Sequence, residues 1–131
     1  MGRFLPPDHS KGDERTLGGY MAVHARPAAF EGLDGASYSA DIGIDETGDA
    51  SAPIGAYLIF LRWSPGEPSI IGHLESDFLA RARTEEEART AIGGLSLTET
   101  KRVLDDLIRA SRTSSGERAW WDVMRDENEG P

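Results

Sequence analysis

Three histidines, His9, His24 and His73, are the only imidazoles in a chain of 131 residues that has no cysteine. A transition-metal site would therefore have to combine them with carboxylates. Read as a strand, residues 20–26 put His24 on one face with Tyr20, Ala22 and Arg26. Read as another strand, residues 69–80 put His73 on one face with Glu75 and Asp77. If the two strands were neighbours, His24, His73 and Glu75 would make a two-histidine, one-carboxylate set suited to non-haem iron or zinc. Tyr20 or Arg26 would then orient a substrate. A small metal-assisted enzyme or ligand-binding domain is thus the alternative expectation. The simpler reading is a polar strand face with Arg26 or Arg62 pairing Glu75 and Asp77. On that reading no metal and no other cofactor is expected.

Other chemistries find less to work with. Asp41, Asp45, Glu46 and Asp49 gather near one loop, but lack the alternation and closing glutamate of a calcium loop. No nucleophile elbow of the form G-x-S-x-G and no S-x-x-K occurs, so serine catalysis has no motif to stand on. Glu75 and Asp77 sit two apart on one strand, about 7 Å between Cβ atoms, with nothing else to mark a general acid–base pair. Gly93-Gly94 is too short for a phosphate loop and reads as a helix stop. A non-enzymatic role is the main expectation.

Charge narrows the partners. Fourteen Lys+Arg against 23 Asp+Glu leave a net charge of −9, which repels a phosphate backbone, so no nucleic acid is expected. Twelve of the basic residues are arginine, a side chain suited to forked contacts with carboxylates. No run approaches the ~18 apolar residues of a membrane span. The start of the chain has no apolar signal core. A soluble, cytoplasmic protein without membrane insertion is expected.

The elements that must carry these residues follow from pattern. Residues 1–18 are polar and broken by Pro6-Pro7, Gly12 and Gly18-Gly19, which reads as a flexible arm. Residues 19–112 form the single domain. Residues 113–131 read as a linker and a tail holding Trp120 and Trp121. Within the domain, four strands are expected: 20–26, 37–45, 55–63 and 69–80, with 27–35 as loop. In the second, Tyr38, Ala40, Ile42 and Ile44 alternate with polar residues. In the fourth, Ile70, Leu74 and Phe78 are assigned to one face and His73, Glu75 and Asp77 to the other. Two helices follow, each opened by a capping box, Thr84-Glu-Glu-Glu87 and Ser96-Leu-Thr-Glu99. The second carries an apolar stripe of Leu97, Leu104, Leu107 and Ile108 and runs to about Arg112. Strands first and helices last indicate an α+β domain: a four-stranded, mainly antiparallel meander with two C-terminal helices on one face and an arm at each end.

One strand is apolar on both sides. Ala56, Leu58 and Phe60 point one way; Tyr57, Ile59, Leu61 and Trp63 point the other. Helices on one face cannot cover both. Burying each large apolar side chain is worth roughly 1.5–3 kcal/mol, so the second face calls for a cover: curling of the sheet, the Trp120-Trp121 segment, or another protein. The sequence thus predicts an interaction domain or accessory subunit. It would engage a protein partner or a second copy (a homo-oligomer) through Tyr57, Ile59, Leu61, Trp63, Trp120 and Trp121. The acid-rich composition favours a basic partner.

Overall fold

A computed structural model describes residues 7–66 and 69–112. The chain is α+β. Its sheet runs β1 (Ala28–Glu31), β2 (Ser37–Glu46), β3 (Ile54–Trp63) and β4 (Ile70–Glu75) in meander order, all antiparallel, with β5 (Ala80–Ala82) also pairing β3. Three helices complete it: α1 (Leu17–His24), α2 (Glu85–Gly93) and α3 (97–112). None of the helices among the described residues is long and apolar enough to cross a membrane.

β2 and β3 form where alternation is clearest. They pair over ten residues each, with Ala40 opposite Phe60, Ile42 opposite Leu58 and Ile44 opposite Ala56. These side chains share one face with Ala28 and Leu74. All three helices pack there. Leu17 from α1, Ala88 and Ile92 from α2, and Leu104 and Ile108 from α3 join Tyr38, Ala40, Ala56, Leu58 and Phe60 in one buried cluster. The Ser96–Glu99 capping box closes on both sides, each residue accepting the other's amide hydrogen at 3.0 Å, and the Thr84 hydroxyl caps α2 by accepting from the Glu87 amide. Lys101 pairs Asp105 at 2.7 Å, one helical turn on, and Asp105 also accepts from the Leu33 amide, tying α3 to the loop after β1.

Three expected elements differ. Residues 20–26 are not a strand. They belong mostly to α1, which starts earlier, at Leu17, with the Thr16 hydroxyl accepting from the Gly19 amide as its N-cap. Gly18 and Gly19 are not there for mobility. A Cβ on Gly18 would sit 3.1 Å from the Gly93 Cα, so Gly18 and Gly93 let α1 and α2 touch backbone to backbone, while a Cβ on Gly19 would run into the Asp13 carbonyl. A fully buried Leu17 side chain and a hydrogen bond donated by the Leu17 amide to the Leu95 carbonyl secure this helix to the α2–α3 junction. The boundary expected at residue 18 therefore falls inside a packed helix. The stretch read as loop, 27–35, contains β1. Finally, the fourth strand is broken into β4 and β5, both on the same edge of β3. At the break the Ser76 hydroxyl accepts from the Leu58 amide and donates to the Asp77 carbonyl.

Candidate functional site

The sheet's other face is the region that three helices leave alone. Its central row is Tyr57, Ile59, Leu61 and Trp63 from β3, all half-buried. Their neighbours come from register. Ile59 lies between Asp41 and Glu75, Leu61 between Ser39 and His73, and Trp63 between Ser37 and Ile70. A register shift between Arg62 and Trp63 changes the phase of β4. Leu74 thus faces the core while Ile70 faces the same way as His73 and Glu75, which corrects the expected grouping of Ile70 with Leu74. Ile70 is 53% exposed.

The face is partly dressed by its own aromatic rings. Gly43 sits opposite Tyr57, and the Tyr57 ring lies where a Gly43 side chain would be: a Cβ there would come within 2.3 Å of it. The same happens at Gly55, whose missing side chain is replaced by the Phe78 ring, 2.4 Å from a would-be Cβ. Phe78 therefore also lies on this face and not beside Leu74. Tyr57 and Phe78 meet edge to face at 6.0 Å between centroids, and the Arg81 guanidinium stands over Phe78 at 5.6 Å. Trp63 leans across to β2, where its indole N–H donates to the Ser39 hydroxyl at 2.9 Å. Aromatic rings laid over glycines on a neighbouring strand pin register and keep the backbone dry. They leave their outer surfaces available. Exposed acids flank the row: Glu31, Asp41, Asp45 and Glu75. Against them stand Arg81 and His73, whose imidazole is 3.8 Å from Glu75.

The alternative metal set is not assembled. His24 is on α1, in the helical layer, where it stacks on Tyr20 at 4.3 Å between ring centroids and places Nε2 2.9 Å from Glu14. His73 and Glu75 are on β4, on the opposite side of the sheet from that layer. The strand adjacency that would have joined them does not exist, because residues 20–26 are helical and β1 and β4 are opposite edges. Among the described residues no three histidine or acidic side chains are placed to hold a metal ion. Arg26 donates to the Tyr20 hydroxyl, and Arg62 lies 4.0 Å from Asp34, so neither is the expected partner of Glu75. Asp49 is used in the turn after β2, accepting from the Ser51 amide and hydroxyl. Trp120 and Trp121 lie outside the described residues.

Two features escaped the sequence. The Gly43–Tyr57 and Gly55–Phe78 pairs need the register to be seen, although a glycine inside each of two strands is a signal of close approach. The second is a polar cluster at the far end of the core face. The Tyr38 hydroxyl donates to Asp34 at 2.9 Å, and the Ala36 amide donates to the same carboxylate. Burial would raise the Asp34 carboxyl. The Ala36 amide, Tyr38 hydroxyl and Arg62 charge outweigh it and hold the group below its ordinary value. Burial, then the bond to Asp34, push the Tyr38 phenol up to about 12.

No protein-family model, no curated protein and no solved structure matches the chain.

Proposed function

We propose that this protein is a non-enzymatic interaction module whose helix-free sheet face docks a protein partner. The partner would present an apolar strip bordered by lysine or arginine. The observation that carries this reading is the row Tyr57, Ile59, Leu61 and Trp63, extended by Phe78 and the exposed Ile70, on a face to which no described helix contributes. Contiguous apolar surface rimmed by charge is the ordinary make-up of a protein-binding patch. The rim selects between occupants. A second copy docked through the same patch on both subunits would bring one acidic rim, Glu31, Asp41, Asp45 and Glu75, up to the other's. A basic partner instead gains from each of them, chiefly in the rate and selectivity of encounter.

The test begins with the protein's solution mass, expected to be that of a monomer. The proteins that copurify with it from its source are then identified, and each is recombined with it in pure form. The expected result is a pairwise complex with a basic protein. Ile59→Asp should weaken it by about 30-fold or more, the loss of one central anchor, and salt should slow its formation. Arg102→Glu, on the far side of α3, should leave it intact. A complex indifferent to both Ile59→Asp and Leu61→Asp would overturn the assignment. A stable dimer dissolved by Ile59→Asp would replace the basic partner with a second copy.

A further inference from the structure

Where the core face ends, β4 and the last turn of α3 part to leave a cleft of about 470 Å³. Leu74 and Ile108 supply its apolar wall, while Arg62, His73, Ser111 and Arg112 supply its polar lining. The acid at the cleft, Asp34, is already held by Tyr38 and Ala36. Among the described residues Arg112 has no ion-pair partner. A basic concavity in a chain of net charge −9 is out of keeping with the rest of its surface.

We propose that this cleft is the docking site of the chain's own segment 119–124, Ala-Trp-Trp-Asp-Val-Met. One of its tryptophans would rest on Leu74 and Ile108, and Asp122 would stand beside Arg62 and Arg112. The inference does not rest on the interaction face: Arg62, Leu74, Ile108 and Arg112, which it uses, lie on the helix-covered side of the sheet, and His73 is the lining residue that the cleft shares with the open face. Three observations converge on this occupant. Connectivity is the first: Thr113 directly follows Arg112, whose side chain lines the cleft. The intervening residues 113–118 include Gly116 and can span up to about 20 Å, enough to reverse and return. A tether that short holds the segment at roughly millimolar local concentration. Charge is the second. Residues 113–131 carry five acidic and two basic side chains. The acid-rimmed sheet face repels them, whereas Arg62 and Arg112 attract them. Chemistry is the third. A pocket that is part apolar and part guanidinium fits an indole next to a carboxylate, because arginine both pairs with the acid and stacks on the ring.

The test uses the full chain in solution. Trp63, bonded to Ser39, serves as internal reference for the three indole signals in a nuclear magnetic resonance spectrum. The expected result is proton–proton contacts from a Trp120 or Trp121 ring to the Leu74 and Ile108 methyl groups. Acrylamide should quench those indoles about three-fold less than in the Asp122→Lys variant, which alters only the tail. Arg62→Glu with Arg112→Glu should abolish the contacts, and Asp122→Arg in that background should restore them. Tail indoles without contacts at low salt, or in contact with Tyr57 and Ile59 instead, would overturn the proposal. These readouts are made on the free protein, so they stand or fall apart from partner binding.

Discussion

β3 shows two fates of one kind of side chain. Leu58 and Phe60 are completely buried, while Ile59 and Leu61, one residue away and just as apolar, are only half-buried. The strand treats both sets alike. The difference is in what the rest of the chain supplies: three helices on one face, and on the other two glycines with rings folded over them. Hydropathy states a demand for cover, and topology decides which face receives it. The face that does not receive it is free to take cover from outside.

That comparison is sharpest in stability. Phe60→Ala should cost about 3–5 kcal/mol by denaturant unfolding, the price of a cavity in a packed core, whereas Leu61→Ala should cost about 1 kcal/mol or less. Equal costs would mean that the second face is buried in the isolated protein. The ring-over-glycine pairs come next. Gly43→Ala and Gly55→Ala should each cost about 1–3 kcal/mol, as the new methyl displaces a ring. The two pairs share the Tyr57–Phe78 contact, so the losses should not add.

The polar end of the core face gives a pH signature. Tyr38→Phe removes one bond to Asp34 and should cost about 1–2 kcal/mol at neutral pH. In the parent protein the phenol's contribution is whole below pH 10 and fades as pH rises toward about 12, because its folded value lies above the unfolded one. Asp34's contribution runs the other way: it is whole above pH 3.8 and fades as pH falls, since its folded value is lower. Tyr38→Phe should flatten the alkaline limb of the melting-temperature profile and shrink the acid one. An unchanged alkaline limb would count against the Tyr38–Asp34 bond. The smallest effect is expected at Ala25, the C-cap of α1, held at φ 53. Ala25→Gly should add about 0.5–1 kcal/mol, since glycine adopts that region without strain.

Much of this was readable beforehand where a pattern repeats. β2 and β3 announce themselves by alternation and continuous apolarity, and α2 and α3 by their capping boxes. The misses have physical causes. β1 is four residues long, too short for any period to show. α1 was hidden by Gly18-Gly19, which read as breaks; Gly18 serves a close crossing with Gly93 and Gly19 lies tight against Asp13, although Leu17, Tyr20, Met21 and His24 already follow helical spacing. The phase of β4 was lost to a single register shift, which no alternation rule anticipates. The central row of the open face was nameable from sequence. Its aromatic dressing and the basic cleft depend on which strands and helices meet.

The bridge between Thr16 and Ser96, flanked by the bonds from Leu17 to Leu95 and from Leu97 to Arg15, joins the start of α1 to the α2–α3 junction, some eighty residues on. On a ribosome, α1 would emerge well before the α2–α3 junction that seats it. Until then Leu17 has no pocket. A product released before Leu95–Leu97 would therefore leave an unseated helix, and synthesis through the α2–α3 junction becomes a checkpoint for its assembly.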